Sequence, residues 1–452
     1  MRQSALLFIA LMMHVSMHSQ KADSIFISNI YRETLANGEC YDHLRVLCKE
    51  VGHRLAGSAA ADSAVAWGVR TMRGYSLDSI YTMPVDVPHW VRGKKEIGFY
   101  EVEGLRKNLD IVALGGSAGT LNEVKAEVIE VKSIAELQAM EFSQVEGKIV
   151  FFNKAMDPML INTGAAYGGA YDIRGQGPSE AAKKGAVGCL IRSLTLADDK
   201  FAHTGATNYE AGVKQIPAAA LSSVDARELS KQLKIFPGLK FTLHLTCENY
   251  PRKIQYNVIG EIRGSQYPEK VIVVGGHLDS WDVGEGAHDD GTGVTQSIEV
   301  LRILLALGYK PRHTIRAVLY MNEEFGNDGG KTYAKVVAEK NEEHIAAIES
   351  DGGGLTPLGF NVQGDESDLL ELKSWGLLLE PYQLFSFRQG WSGVDIGPLK
   401  TDTNVLYGLS VDSQRYFDFH HSNNDVFENV NKREHILGAA AMASLVYLID
   451  QK

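Results

Sequence analysis

Apolar segments in the second half of the chain are repeatedly followed by histidine or carboxylate residues, and this pattern constrains the fold most. The clearest case is the valine and isoleucine run at 271–274, which leads through two glycines to His277. Such runs, alternating with helical segments, predict a largely parallel sheet covered by helices on both faces. Polar residues at the carboxyl ends of such strands gather at one edge of the sheet. The residues predicted to meet there are His277, Asp279, Asp289, Asp290, Glu323, Glu324, Asp351 and His421.

The spacing of apolar residues predicts the order of the elements. Strands are predicted at 79–90, 257–262, 271–275, 314–320, 346–348 and 404–407. Helices are predicted at 25–35, 41–51, 59–74, 292–307, 327–340, 367–379 and 433–449. Residues 20–117 and 245–452 are therefore assigned to one α/β domain with a mostly parallel central sheet.

Residues 118–244 differ in character from the rest of the chain. Short strand-like segments at 126–129 and 147–152 precede a glycine-rich segment at 164–177. The block contains none of the candidate ligands, and its length is within the usual range for a domain. We predict a β-rich domain inserted into the α/β domain.

The candidate ligands form a set that suits zinc. They are imidazole and carboxylate groups without thiolate, a combination expected of a hydrolytic metal site. The predicted division is His277 and Asp351 on one ion, Glu324 and His421 on the other, and Asp289 on both. Each ion then has three protein ligands and an open position, which marks a catalytic site. The prediction is two zinc ions per chain, with Asp290 as the alternative bridging residue.

Two residues are assigned to orientation and proton transfer. Asp279 follows His277 by two positions, so both side chains point to the same side of an extended chain. A carboxylate that accepts the imidazole N–H fixes the tautomer of a ligand histidine. Glu323 and Glu324 are adjacent and point in different directions, so one can bind metal while the other transfers a proton.

The N-terminus has the layout of a secretory signal peptide. Arg2 precedes an apolar run from Ala5 to Val15, and polar residues resume at Ser16. The run is too short to span a membrane, and no other segment is expected to span one. We predict a signal peptide at residues 1–19 and a secreted or periplasmic protein.

Composition bears on two further points. The formal net charge of -11 argues against nucleic acid as a partner, because proteins that bind phosphates usually carry a basic face. Cys40 and Cys48 leave two alternatives open: a disulfide, as is common in exported proteins, or two buried thiols.

The motifs around the candidate ligands resemble those of the two-zinc aminopeptidase family. The segments that carry the resemblance are His-Leu-Asp-Ser-Trp-Asp-Val-Gly (277–284), Asp-Asp-Gly-Thr-Gly (289–293), Asn-Glu-Glu (322–324), Glu-Ser-Asp (349–351) and His-His-Ser (420–422). Segments outside the site, at 52–58, 88–93 and 203–205, are similar to one subfamily of these enzymes. The resemblance covers nearly all of the chain after residue 19.

The resemblance implies a zinc exopeptidase acting on dipeptides or short peptides. Glu323 matches the general base of the family and Asp279 the residue that orients the first ligand histidine. The block 118–244 is similar to a protease-associated domain. Some relatives carry tyrosine where this chain has His420, so His420 and Tyr416 are both candidates for oxyanion or substrate contacts.

Two alternatives stay open on the sequence. A one-zinc glutaminyl cyclase, an acyltransferase, is built on the same core, and a catalytically inactive receptor or binding protein can also keep this fold. The sequence does not decide whether the chain forms a homodimer, nor which end of a peptide it recognises.

Overall fold

The computed structural model describes the backbone of residues 2–452 and the side chains of residues 20–452. The predicted signal peptide, residues 1–19, lies outside the residues whose side chains are described. Across the described part of the chain, no helix combines the length and the apolar character that crossing a membrane requires.

The strands, in chain order, are β1 (Ser79–Val91), β2 (Glu96–Val102), β3 (Leu105–Asn108), β4 (Ile111–Ala113), β5 (Val124–Val131), β6 (Ile149–Phe152), β7 (Gly188–Arg192), β8 (Ala218–Leu221), β9 (Lys240–Leu245), β10 (Glu248–Ile262), β11 (Tyr267–His277), β12 (His313–Tyr320), β13 (Glu343–Glu349), β14 (Pro357–Gln363), β15 (Ser386–Gln389) and β16 (Val405–Val411).

The helices are α1 (Arg2–Asn37), α2 (Cys40–Val46), α3 (Ala59–Arg73), α4 (Ile134–Ala139), α5 (Phe142–Val145), α6 (Thr163–Gly168), α7 (Asp172–Gly175), α8 (Gly177–Lys183), α9 (Ser223–Ile235), α10 (Thr292–Ala306), α11 (Asp328–Lys340), α12 (Glu366–Ser374), α13 (Gly376–Leu379), α14 (Tyr416–Phe419) and α15 (Lys432–Asp450).

The central sheet has the strand order β1-β10-β12-β11-β13-β16-β14-β15. Its middle is parallel, as predicted: β12, β11, β13 and β16 all run in one direction. The sheet as a whole is mixed, because β1 and β10 add an antiparallel edge and β14 runs antiparallel to β16. Strands β14 and β15 were not predicted, because their segments contain proline, glycine and polar residues and lack a clear strand pattern.

The middle strands bury both faces. On β11, Ile272 and Val274 contact one core, whereas Val271 and Val273 contact another on the opposite face. The first core also receives residues of α3, α10 and α15, and the second receives residues of α11. Burial of each such side chain contributes roughly 1.5–3 kcal/mol to folding. The expected helical cover on both faces is therefore present.

A second eight-stranded sheet lies between Glu96 and Leu245 in the sequence, with the order β3-β2-β9-β5-β6-β7-β8-β4. Strands β5 to β8 are parallel, and the remaining neighbours are antiparallel. It has its own core, built around the fully buried β6. Helices α4 to α9 belong to this stretch, so it contains more helix than a β-rich block.

The two sheets are joined where β1 pairs with β10. This antiparallel ladder ends with Val91 opposite Glu248, immediately before the chain enters the second sheet and immediately after it leaves. Both connections therefore leave the central sheet side by side.

Cys40 and Cys48 are buried free thiols. Both lie in one continuous helical stretch, since α2 runs directly into a π-helical turn at Leu47–Val51. Eight residues of helix separate them by roughly 12 Å along the axis, which is too far for a disulfide. The disulfide alternative is therefore wrong for this structure.

Helix α1 is tied to α10 by buried charge. Arg302 donates to Glu299 at 2.8 Å and to Glu33 at 2.9 Å. Burial raises the pKa of Glu299 to about 7, an effect that Arg302 only partly offsets. The fold thus favours the protonated form of Glu299.

We expect the stability of the Glu299→Gln variant to increase relative to that of the wild type as pH rises. The contribution of Glu299 to stability is fully present below its ordinary pKa of 4.5 and is lost as pH rises through about 7. Between about pH 5 and about pH 8, the free energy of unfolding of the variant should increase by up to about 3 kcal/mol relative to that of the wild type. Urea denaturation at several pH values measures this difference.

Glu33→Gln is the matched control. Its hydrogen bond with Arg302 lowers the pKa of Glu33 from its ordinary 4.5, so its contribution to stability is fully present above that value and is lost only below it. The Glu33→Gln difference should therefore change little between about pH 5 and about pH 8, and a shift as large as that of Glu299→Gln would contradict the assignment.

Candidate metal centre

Five predicted ligands meet at the carboxyl ends of the parallel strands. His277 is the last residue of β11, and Asp289 lies in the turn that leads into α10. Glu324 follows β12, and Asp351 follows β13, so the parallel order β12-β11-β13 brings their ends together. His421 differs from the expectation, because it follows the short helix α14 and not a strand.

Asp289 lies between the two histidines. Its Oδ1 is 3.2 Å from Nε2 of His277, and its Oδ2 is 3.3 Å from Nε2 of His421. The remaining pairs follow the predicted division: His277 Nε2 lies 3.5 Å from Asp351 Oδ1, and His421 Nε2 lies 3.0 Å from Glu324 Oε2. The arrangement has two halves that share one carboxylate.

The polar atoms of this cluster fit a metal. The buried atoms without a hydrogen-bond partner in the described chain include His277 Nε2, Asp289 Oδ2, Glu324 Oε1 and Asp351 Oδ1. Buried polar atoms are normally satisfied, and His277 Nε2 lies within 3.5 Å of oxygens of both Asp289 and Asp351. Combinations of Asp289 with His277 and Glu324, or with His420 and His421, bring ligand atoms within 4.8 Å. Nitrogen and carboxylate donors of this kind suit zinc.

The charges of the cluster depend on one another. Burial alone would lower the pKa of His277, but contacts with Asp289 and Asp351 raise it well above its usual range. Burial likewise opposes the charge of Asp289, yet the two histidines hold its pKa well below the ordinary value. Because metal ligands must release their protons, a divalent cation can replace the protons of both imidazoles.

Asp290 has a different environment from its neighbour, to which a cis peptide bond joins it. Its Oδ2 accepts from the backbone N–H of His277 at 3.1 Å, and its Oδ1 accepts from the N–H of Gly293 at 2.9 Å. Both oxygens therefore hold the backbone at the site. This favours Asp289 as the shared ligand, although Asp290 also lies within ligand distance of His277 and Asp351.

Asp279 lies beside His277, but its carboxylate has other hydrogen-bond partners than the predicted imidazole. The imidazole Nδ1 of His277 lies 3.0 Å from the backbone carbonyl of Asp279 but 3.8 Å from its carboxylate. The carboxylate accepts instead from the backbone N–H groups of Asn322, Glu323 and Glu324 at 2.7, 3.0 and 3.4 Å. Asp279 thus fixes the loop that carries the two glutamates.

A cavity of about 770 Å³ opens onto the cluster. Glu323 lines it, and its carboxylate makes no hydrogen bond to any described residue. Tyr416 and His420 also line it, so the two oxyanion candidates reach the same space. A second cavity of about 630 Å³ adjoins the first at Asp351 and Tyr416. The centre therefore lies in a cleft large enough for a short peptide.

Arg174, on α7 of the second sheet unit, also lines the cavity and was not singled out from the sequence. Its guanidinium packs near the rings of Tyr167 and Tyr171 and against the backbone of Gly205. It is buried, its Nε has no hydrogen-bond partner, and no described carboxylate pairs with it. It lies in the glycine-rich segment, where no motif indicates that it faces the ligands.

A protein-family comparison matches residues 257–446 to peptidase family M28. Carboxypeptidase Q of Xenopus laevis is 38% identical over 394 residues, covering 86% of this chain and 81% of that protein. Carboxypeptidase Q of Homo sapiens is 34% identical over 415 residues, covering 92% of this chain and 86% of that protein. The similarity extends well beyond the matched family region and includes the second sheet.

Solved structures share the same fold. A peptidase M28 precursor from Shewanella amazonensis SB2B superposes with a TM-score of 0.91 at 32% identity, over 95% of this chain and 97% of that chain. BSAP, a zinc aminopeptidase from Bacillus subtilis, superposes with a TM-score of 0.65 at 18% identity, over 90% of this chain and 93% of that chain.

We expect Asp289→Asn to lose most of its bound zinc, because the oxygens of Asp289 face both halves of the cluster. Asp290→Asn should keep more zinc but melt at a lower temperature, since it weakens the bonds to backbone N–H groups. Zinc per chain after equilibration and dialysis, together with thermal unfolding, tests both. Equal zinc loss in the two variants would remove the distinction between the two carboxylates.

Proposed function

The chain belongs to peptidase family M28 and is a zinc-dependent exopeptidase, and we propose that it hydrolyses dipeptides or short peptides at a centre of two zinc ions. The observation that carries this proposal is the position of Asp289, with one oxygen toward His277 and the other toward His421. His277 and Asp351 would hold one ion, and Glu324 and His421 the other. A carboxylate that faces both halves can hold two ions close together, as a two-metal hydrolytic site needs.

Glu323 is the proposed general base. Burial, together with the carboxylates of Glu324 and Asp351, raises its pKa well above the ordinary value, and a carboxylate with a raised pKa is a better proton acceptor near neutral pH. Bound zinc supplies a Lewis acid that polarises a carbonyl and lowers the pKa of water. Glu323 takes the proton of the attacking water and delivers it to the leaving amine.

Tyr416 is the proposed oxyanion donor of the two candidates. Burial and the carboxylates of Asp289 and Asp351 raise its pKa, so its hydroxyl stays protonated and can donate a hydrogen bond. Burial and the neighbouring His421 lower the pKa of His420 well below its usual range. The neutral His420 ring lies against His421, with centroids 3.5 Å apart, and supports that ligand from the side.

Arg174 is the proposed partner of a free substrate carboxylate. A buried charge is costly unless it is paired, and this guanidinium has no carboxylate partner among the described residues. A planar guanidinium matches a carboxylate in a bidentate arrangement. We therefore propose that the enzyme recognises the carboxyl end of its substrate, so that an unblocked dipeptide fits the cavity.

Two further proposals concern the N-terminal signal and the second sheet. We propose that residues 1–19 direct export and that the chain acts outside the cytoplasm. The second sheet, which includes most of the predicted insert at 118–244, is the proposed protease-associated domain. It contributes one wall of the cleft through α6 and α7.

Glu323→Gln should keep its zinc and lose hydrolysis by about 10²–10⁴-fold, because only proton transfer is removed. Glu324→Gln is the matched control and should lose zinc as well as activity. Elemental analysis and turnover of an unblocked dipeptide measure both quantities. Turnover of Glu323→Gln at the wild-type rate would refute the assignment.

The same assays separate the alternatives. A glutaminyl cyclase would bind one zinc ion and convert a peptide with N-terminal glutamine into a cyclised product. An inactive binding protein would leave every peptide intact whether or not zinc is bound.

Arg174→Met should lower kcat/KM for dipeptides with a free carboxylate by at least about tenfold, through a higher KM. Dipeptides with an amidated carboxyl end should lose much less, because they have no charge to pair. Arg192→Met is the control, since Arg192 belongs to the same unit but lines neither cavity. Equal losses for free and amidated dipeptides would contradict a role in carboxylate recognition.

A further inference from the structure

His421 has a backbone conformation that needs outside support. Its φ is +62°, in the left-handed region that is uncommon for residues other than glycine. Such conformations persist when the surrounding structure fixes them. The support comes from the second sheet unit, where His203 forms an isolated antiparallel bridge with Ser422.

Thr204 makes two contacts with His421. Its backbone N–H donates to the carbonyl of His421 at 2.8 Å, and its own carbonyl lies 3.3 Å from Nδ1 of the imidazole. When Nε2 faces a metal, Nδ1 carries the hydrogen and donates to that carbonyl. Nη1 of Arg174 also lies 3.3 Å from that carbonyl and 3.3 Å from Nδ1, so Thr204 sets the backbone of His421 and shares the contact with its ring.

The side chain of Thr204 is fixed in turn. Its hydroxyl donates to the carbonyl of Ala113 at 2.7 Å and accepts from Nη2 of Arg92 at 3.4 Å. Thr204 is fully buried, so water cannot replace these bonds. The Thr204 hydroxyl therefore links Arg92 to the segment that contacts His421.

Arg92 uses all five of its N–H donors at this point. Nε and Nη2 donate to the carboxylate of Asp282, Nη1 donates to Glu96 at 3.0 Å and to the carbonyl of Ala113 at 2.6 Å, and Nη2 also reaches Thr204. A guanidinium has five donors in a fixed planar arrangement. A lysine could not satisfy the same set of acceptors.

Asp282 belongs to the loop that leaves His277. The preceding residue, Trp281, packs edge-on against the His421 ring, with centroids 5.6 Å apart. Arg92 therefore links the loop after one ligand histidine to the segment that supports the other. Residues of the segments 88–93 and 203–205 and of the loop after His277 meet in this one network, and none of them is a predicted ligand.

We propose that Thr204 and Arg92 are positioning residues of the metal centre, which hold His421 so that its Nε2 meets a zinc ion shared with Glu324. The second sheet unit then sets the zinc affinity of one half of the centre and leaves the other half largely unaffected. This inference rests on the proposed two-zinc function and deepens it.

The test compares zinc binding by the full-length protein and its variants. Thr204→Val keeps the shape of the side chain and removes the hydroxyl, whereas Thr204→Ser keeps the hydroxyl. Arg92→Lys keeps the charge and removes the fork of donors. Arg227→Lys serves as the control for Arg92→Lys, because Arg227 forms an exposed ion pair with Asp198 in the same unit. Each protein is freed of metal and titrated with zinc against a competing chromophoric chelator, and thermal unfolding of the metal-free protein is recorded.

We expect Thr204→Val and Arg92→Lys to lower the affinity for one of the two zinc ions by about tenfold to a hundredfold. The other ion should change little, and Thr204→Ser and Arg227→Lys should bind zinc as the wild type does. If both test variants bind both ions normally, even with a lower melting temperature, the residues are merely structural and the inference is overturned. If the wild type itself binds fewer than two ions, the two-zinc centre fails, which is a different outcome.

Discussion

The burial of the Asp289 carboxylate between two imidazoles is the interaction on which the rest of the site depends. A buried anion is costly unless it is paired and hydrogen-bonded, and Asp289 has His277 on one side and His421 on the other. Neighbouring carboxylates accept hydrogen bonds from backbone N–H groups instead. Asp279 and Asp290 each hold the backbone beside a ligand, and Asp425 accepts from the N–H groups of His288 and Asp289 at 2.7 and 3.1 Å. The acidic residues thus divide into those that face the cluster and those that fix its loops.

Much of the central unit could be predicted from residue pattern alone. The valine and isoleucine run at 271–274 predicts a buried parallel strand, and β11 occupies the middle of the sheet with His277 at its end. The strands β14 and β15 could not be predicted, because proline, glycine and polar residues interrupt their pattern, although Phe360 and Val362 of β14 are buried in the core. The position of His421 after α14 depends on tertiary contacts with the second unit, which no local pattern carries.

The surroundings of the cluster were less predictable than its ligands. Asp279 was expected at the imidazole, and its backbone carbonyl does lie there, but its carboxylate accepts from the loop of Glu323 and Glu324. Arg174 comes from a glycine-rich segment with no ligand-like spacing, and only the fold brings it into the cavity. Ligand chemistry can be read from residue types, whereas the groups that orient ligands and contact substrate depend on which distant segments meet.

The pairing of β1 with β10 has a consequence for the order in which the chain folds. Val91 faces Glu248 across this ladder, so the pairing closes a loop that contains residues 92–247. An unstructured loop of that length carries a substantial entropic penalty, which rises with the logarithm of its length. Once the second sheet has formed, β2 and β9 pair with each other and hold the ends of the loop together. Compaction of the intervening unit therefore removes much of the entropic penalty for pairing β1 with β10.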